Sequence, residues 1–276
     1  MEEEYYSIGK VEEICKITKK ALRYYDKMGI LSPDKVVDDN GYRYYSKRNL
    51  LSVPIIKYYK QSGFKLEEMK EFLDGANYRI FEKSFRRKID ELKQLESEVN
   101  LKLTSIKDWY DLIVEADMII ENHATEVSVK YIDSHMMTYL DQDFCYDYKD
   151  SIINIEFTNH IENMNNAITG PVIIKYPSFK DKMNGQCKTM RIMQETILKC
   201  NDERTTEFGG YMVVSCYHVG PHENIGETYK KIKEWTDRHG YICGEESYER
   251  YVTDYWLTEN QDNFVTEVML KISRRR

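Results

Sequence analysis

Residues 18–46 read TKKALRYYDKMGILSPDKVVDDNGYRYYS, and their order decides the first fold element. Arg23-Tyr24-Tyr25 lies on a segment that opens at Thr18, a residue suited to an N-cap, and closes at Gly29, a residue suited to C′. That predicts a helix over 19–28. Tyr42-Arg43-Tyr44-Tyr45 follows Asn40-Gly41, a tight-turn dipeptide, and with Val36-Val37 it predicts a two-armed hairpin. Guanidinium groups pair with phosphate, and phenol rings cover sugar and groove walls. A helix and a hairpin tipped alike predict a winged helix-turn-helix that reads a duplex.

The flanking residues extend this head. Ser7 caps an expected first helix with Ile8, Val11 and Ile14 on its apolar side, and Cys15-Lys16-Ile17 makes the turn. Within 19–28, Ala21 and Leu22 are expected to face inward, leaving Lys19, Lys20 and Arg23 outside. A third helix is expected from Ser46 to Ser62; Pro54 lies inside it, so either a kink or a shifted boundary follows. Residues 66–73 predict a fourth.

Residues 78–118 predict one long helix. Phe85, Leu92, Val99, Ile106 and Ile113 recur every seven residues; Leu95, Trp109 and Ala116 take the companion position, and Ile89, Leu103 and Tyr110 widen the stripe. Such a stripe pairs with a second copy of itself, and the competing reading is a helix packed on its own domain.

Beyond residue 120 the pattern changes to strands near 126–132, 171–176, 210–219 and 264–272, with helices at 148–167 and 223–239. The order strand, helix, strand, strand occurs twice, near 126–197 and 206–273, which predicts a two-halved α+β domain with a cleft where the halves meet.

The chain has 276 residues and a formal net charge of −7. Lys+Arg against Asp+Glu count 14 to 13 in 1–74, 8 to 9 in 75–118 and 18 to 25 in 119–276, so the acidity is C-terminal. An acidic region rich in aromatics suits a cationic ligand. The 23 tyrosines supply amphipathic contact surface. The six cysteines have no close pair, so buried free thiols are expected rather than a metal site, and no cofactor is expected. No apolar run is long enough for a bilayer and the N-terminus has no signal peptide, so a cytoplasmic protein with no membrane partner is expected. His218 and His222 flank Gly220-Pro221 and read as a loop and helix start.

Tyr6-Ser7-Ile8-Gly9, Ala21-Leu22-Arg23-Tyr24-Tyr25-Asp26, Gly29-Ile30-Leu31 and Asn40-Gly41-Tyr42-Arg43-Tyr44-Tyr45 resemble the MerR family of transcriptional regulators. The long helix resembles that family's dimerisation helix. The C-terminal region resembles the GyrI-like effector domain of multidrug-responsive members, on its two-fold order and on Glu245-Glu246-Ser247-Tyr248-Glu249-Arg250-Tyr251. The resemblance implies an α+β multi-domain chain: a winged helix-turn-helix head in 1–75, a coiled-coil dimerisation helix in 76–120 and an effector-binding domain in 121–276. It implies a homodimer, not an enzyme. The dimer would bind double-stranded promoter DNA in the nucleoid, distort it when a small amphipathic or cationic ligand binds, and so let RNA polymerase engage. The alternative is a GyrI-like hydrolase of xenobiotics fused to a DNA-binding head.

On this reading Thr18, Lys19, Lys20, Arg23, Tyr24 and Tyr25 face DNA from the helix, with bracing of the helix as the other role for Tyr25. Tyr42, Arg43 and Tyr44 act from the wing, with one of Tyr42 and Tyr45 packing inward. Lys60 matches a family phosphate contact. Glu249 is the expected ligand carboxylate, against the plainer reading of a solvated acidic patch. Tyr251 shares its strand face; Tyr217 and Phe264 match pocket-lining strands, or are ordinary core.

Overall fold

The computed structural model describes residues 4–37, 39, 41–200 and 203–274. Residues 1–3, Asp38 and Asn40 lie outside the described residues, so the Asn40 half of the expected turn does too. The chain forms two compact units, Met1–Glu98 and Val99–Arg276.

The first unit holds β1 (Tyr5–Ser7), α1 (Ile8–Cys15), α2 (Lys19–Lys27), β2 (Lys35–Val36), β3 (Arg43–Ser46), α3 (Lys47–Gln61), α4 (Leu66–Leu73) and the start of α5 (Tyr78–Glu121). The expected caps form: Ser7 accepts from Lys10 N and Thr18 from Ala21 N. Lys16 turns the chain at φ 50°, and Lys57 Nζ donates to the Cys15 and Lys16 carbonyls at 2.5 and 3.2 Å, covering the negative end of α1. Pro54 stays inside α3. A proline removes the bond to the carbonyl four residues back, and here the Cys15 thiol donates to that carbonyl, Leu50 O, at 3.9 Å. The wing is a three-stranded sheet ordered β1-β3-β2; the strand at Tyr5 was not expected and pairs Tyr6 with Tyr45. Val11, Leu22, Tyr25, Tyr45, Val53 and Ile56 form the core.

α5 is 44 residues long. Ile89, Leu92, Leu95, Val99, Leu103 and Ile106 are 47–69% exposed, a stripe that its own chain leaves uncovered. The stripe is shorter than its sequence period. Phe85 packs on Phe64 and Phe72 at 4.8 and 6.1 Å. Trp109 meets Trp256 at 4.7 Å, and Ala116 is buried with Leu112 and Ile119 against Val252 and Val265. The heptad places these side chains on one line, but a straight helix of 3.6 residues per turn drifts off a 3.5 repeat, so the line rotates toward the chain's own domain.

The second unit continues through β4 (Ser128–Ile132), β5 (His135–Asp143), α6 (Tyr148–Ile152), α7 (Ile155–Asn163), β6 (Ile168–Tyr176), α8 (Phe179–Met183), β7 (Thr189–Thr196), β8 (Thr205–Phe208), β9 (Tyr211–Val219), α9 (Ile225–Arg238), β10 (Tyr241–Thr253) and β11 (Val265–Arg274). All of these strands pair antiparallel in one sheet ordered β4-β9-β11-β10-β6-β7-β5-β8. The two strand-helix-strand-strand halves are β5 to β7 and β9 to β11, and they meet where β6 pairs with β10. The first half therefore starts at His135, not near 126; β4 instead edges β9. The helix expected over 148–167 breaks because the Asn154 side chain accepts from Phe157 N and starts a second helix.

β10 alternates, as strands do. Ser247, Glu249 and Tyr251 face one side, while Arg250 faces the other and holds Glu115 of α5 through two bonds of 2.7 Å. Tyr217 donates to the same carboxylate at 2.8 Å, and Glu267 lies 3.4 Å from Arg250. Burial raises the Glu115 pKa, but the Arg250 hydrogen bonds and charge outweigh it and hold the carboxyl below its ordinary range. Its folded pKa is thus below the unfolded one, so its contribution is full above the unfolded value and fades as pH falls through the folded one. Arg250→Met leaves half-buried Glu115 with the Tyr217 hydroxyl and buried Glu267 with Lys130. It should cost about 2 kcal/mol at neutral pH, read from urea unfolding, with a smaller loss once acid protonates Glu115. An unchanged midpoint at neutral pH would refute the anchoring role.

Candidate functional site

Two sites can be built, one in each unit. In the first, α2 opens with Lys19-Lys20, and one turn on come Arg23 and Tyr24. Lys20, Arg23 and Tyr24 are exposed because Leu22 and Tyr25 take the inward face. Lys19 is exposed but tied to Glu12, its amide at 3.1 Å and its Nζ at 3.5 Å. Thr18 spends its hydroxyl on the cap. On the wing, Tyr42 is exposed, Arg43 and Tyr44 are half-buried, and Tyr45 is core. Arg43 Nε bonds Asp26 Oδ2 at 2.9 Å and so fastens the wing to α2. Lys60 is exposed on α3. One expected contact is corrected: Tyr25 is 5% exposed and braces the helix from inside.

The second site surrounds Glu249. Its strand neighbours are Ile174 on β6 and Val268 on β11, so its side chain stands in the middle of the sheet with no exposure. That excludes the solvated-patch reading. An ionised carboxylate stripped of water needs several donors, since burial otherwise costs several kcal/mol. Three tyrosines supply them. Tyr251, two residues on, donates at 2.6 Å; Tyr176, at the end of β6, at 3.3 Å; Tyr229, on the apolar face of α9 with Ile225 and Ile232, at 2.9 Å. Burial, then the charge of Glu249, pushes all three phenols well above their ordinary range, so they stay protonated donors.

The fourth donor is Lys182 of α8. Its side chain is 2% exposed and its Nζ lies 3.1 Å from Glu249 Oε1. It also donates to Tyr148 OH at 2.6 Å. The ammonium sits over the rings of Tyr176, Tyr148, Phe144 and Tyr146, 4.5, 4.6, 5.2 and 5.8 Å from their centres. This is cation–π geometry. A cavity of about 290 Å³ opens above it, lined by Tyr146, Tyr148, Lys182, Glu223 and Tyr229. A larger cavity of about 670 Å³ is lined by Asp141, Arg191, Lys175 and Glu246. Its charged pairs, Arg191 with Asp141 and Lys175 with Glu246, each at 2.6 Å, are open to water, whereas Lys182 and Glu249 are buried, so the smaller cavity is the better site.

His222 completes the aromatic wall. It stacks on Phe264 at 5.0 Å and meets Tyr251 and Tyr148 at 5.1 and 5.2 Å. Burial drives its pKa down to about 4, so it is neutral near pH 7, and neither ring nitrogen has a hydrogen-bond partner among the described residues. His218, in contrast, bonds Thr228 and Pro221 O at 3.0 Å each and is ordinary core. All six cysteines are free thiols, but of the six expected to be buried only Cys187 and Cys216 are; Cys15, Cys200 and Cys243 are half-buried and Cys145 is exposed.

Of the expected ligand residues, Glu249 and Tyr251 touch directly, and Phe264 stands behind His222. Tyr217 is corrected: it sits opposite Glu267 on β11 and points to Glu115, away from the cage, because the strand alternation sends Cys216 to the cage side. Sequence reasoning missed Tyr148, Tyr176, Tyr229, Lys182 and His222. Tyr229 was within reach through the i, i+4, i+7 spacing of Ile225, Tyr229 and Ile232. Lys182 was not, because Lys180-Asp181-Lys182 reads as a solvated turn.

The sequence matches the MerR HTH family regulatory protein over residues 6–76 and the GyrI-like small molecule binding domain over residues 135–273. It is similar to the multidrug-efflux transporter 2 regulator of Bacillus subtilis, 23% identical over 97% of this chain and 96% of the other. The multidrug-efflux transporter 1 regulator of Bacillus subtilis is 40% identical over 37% of this chain and 38% of its own. Among solved structures, the EcmrR–DNA complex covers 98% of this chain and 100% of that one, at 20% identity and a TM-score of 0.47.

Proposed function

We propose, since the chain belongs to the MerR HTH family of regulatory proteins and carries a GyrI-like small molecule binding domain, that it is a homodimeric transcription activator gated by an amphipathic cation. Residues 1–75 are the DNA-binding head, 76–120 the dimerisation helix and 121–276 the effector domain. The single observation that carries the ligand class is the buried carboxylate of Glu249 inside a ring of phenols. Counter-charge and stacking faces together are what a lipophilic cation needs. The relatives' names, regulators of multidrug-efflux transporters, agree with such a ligand.

The head supports promoter binding through Lys20, Arg23 and Tyr24 on α2 and Tyr42, Arg43 and Tyr44 on the wing, with Lys60 at the backbone and Lys19 and Thr18 shaping the helix start. The uncovered stripe of α5 supports pairing with a second copy, which joins two heads and sets the spacing of two half-sites. Activation is distortion of the duplex between two heads, so that RNA polymerase engages the promoter. No described helix is long and apolar enough to cross a membrane. Binding promoter DNA puts its place of work in the cytoplasm, on the nucleoid. The cage serves as a binding site, in keeping with relatives that are transcription regulators rather than enzymes.

Arg43→Ala should weaken binding to all duplex sequences alike and reduce the slope of log K against log salt by about 0.9; an unaltered slope removes the wing contact. Glu249→Gln should lower affinity for benzyltrimethylammonium at least about tenfold, a loss of roughly 1.4 kcal/mol, in calorimetric titration. DNA affinity without ligand should hold. Equal ligand affinity in the two proteins would end the role given to Glu249.

A further inference from the structure

We propose that Lys182 is a tethered occupant of the Glu249 cage: the chain's own ammonium holds the place of a cationic ligand, and a ligand binds by displacing it. This deepens the cage reading above and rests on it.

A carboxylate has about four lone-pair sites. Among the described residues Glu249 has four partners, the hydroxyls of Tyr176, Tyr229 and Tyr251 and the ammonium of Lys182. No site remains for a second cation. The hydroxyls are fixed by strand and helix positions, on β6, α9 and β10. Lys182 is the movable one: it stands on α8, a helix of 5 residues, and ends a flexible stem. Lys182, Met183 and Gly185 also line the cavity, so the ammonium lies between that opening and Glu249. The rings stack on Lys182 as they would on a quaternary nitrogen.

The arrangement sets a threshold. Without a ligand, Lys182 keeps Glu249 from being an unpaired buried charge, which would cost several kcal/mol. With a cationic ligand, one positive charge replaces another at Glu249, so part of the Coulomb gain is spent on displacing Lys182. What decides is the remainder: ring stacking and the apolar surface that the ligand buries in a cavity of about 290 Å³. A tethered competitor also acts at an effective concentration of order mM. A small hydrated ammonium gains nothing over Lys182, whereas an aryl cation does. The cage is therefore selective for amphipathic cations over small ones because it supplies its own small one.

The test uses the full chain and two probes, benzyltrimethylammonium and tetramethylammonium. Lys182→Met keeps the stem length and removes the charge. It should bind benzyltrimethylammonium at least about tenfold tighter than the unaltered protein in calorimetric titration, and should gain measurable binding of tetramethylammonium. Equal or weaker binding in a variant with an unchanged circular dichroism spectrum overturns the tethered occupant while leaving the cage standing. Absence of binding in both proteins overturns both readings. If Lys182→Met does not fold, the unaltered protein answers. Saturating benzyltrimethylammonium should raise the acylation rate of Lys182 by an activated ester at least about tenfold, followed by peptide mass spectrometry. A rate unaltered by bound ligand overturns the proposal.

Discussion

A carboxylate with no solvent exposure has to be answered by donors, and the effector domain is arranged around that requirement at Glu249. The charge stands mid-sheet, on the strand where the two halves of the domain meet. Four elements contribute one group each: β6 brings Tyr176, α9 brings Tyr229, β10 itself brings Tyr251 and α8 brings Lys182. Removing water from all of these is expensive, and the expense is offset only when all are paired. The cage is therefore specific by construction: a partner group that leaves must be replaced by one of like charge.

β10 gives the cage a physical route to the long helix. Glu249 and Arg250 are adjacent, so the pleat sends one to the cage and the other to Glu115 of α5. A shift of the strand at one residue is shared by the other through the backbone. Trp109, Leu112, Ala116 and Ile119 then hold the C-terminal part of α5 on the domain, while the stripe from Ile89 to Ile106 is left for a second copy. One helix thus has two clients along its length. The turn at Trp109 is where the apolar line of that helix passes from exposed side chains to ones packed on the effector domain.

Most of the head could be read directly from residues. Ser7, Thr18 and Gly29 state their own helix boundaries, and Leu22 and Tyr45 are placed by period. Pro54 was expected to kink α3 or shift its boundary; the boundary holds, and the Cys15 thiol donates to the carbonyl that the proline frees, a contact across 35 residues that no local rule reveals. In the effector domain the two-fold order was legible, but its first strand was placed near 126 because β4 and β5 are both strand-like and only pairing shows which belongs to the half. Glu249 was expected from resemblance and Tyr251 from alternation, and the structure brings these two together. Tyr217 was misplaced by one step of the same alternation. Lys182 and His222 were illegible, since a lysine in a charged turn and a histidine beside Gly220-Pro221 take their burial from elements distant in sequence.

The central claim is that Glu249 is the counter-charge of a cationic ligand and that Lys182 holds its place. A crystal structure of the full chain with benzyltrimethylammonium tests this most directly. The account predicts the quaternary nitrogen within about 4–6 Å of the Glu249 carboxylate, where an opposite charge is felt, with the Lys182 side chain moved to solvent. Ligand bound elsewhere, with Lys182 still paired to Glu249, would contradict it.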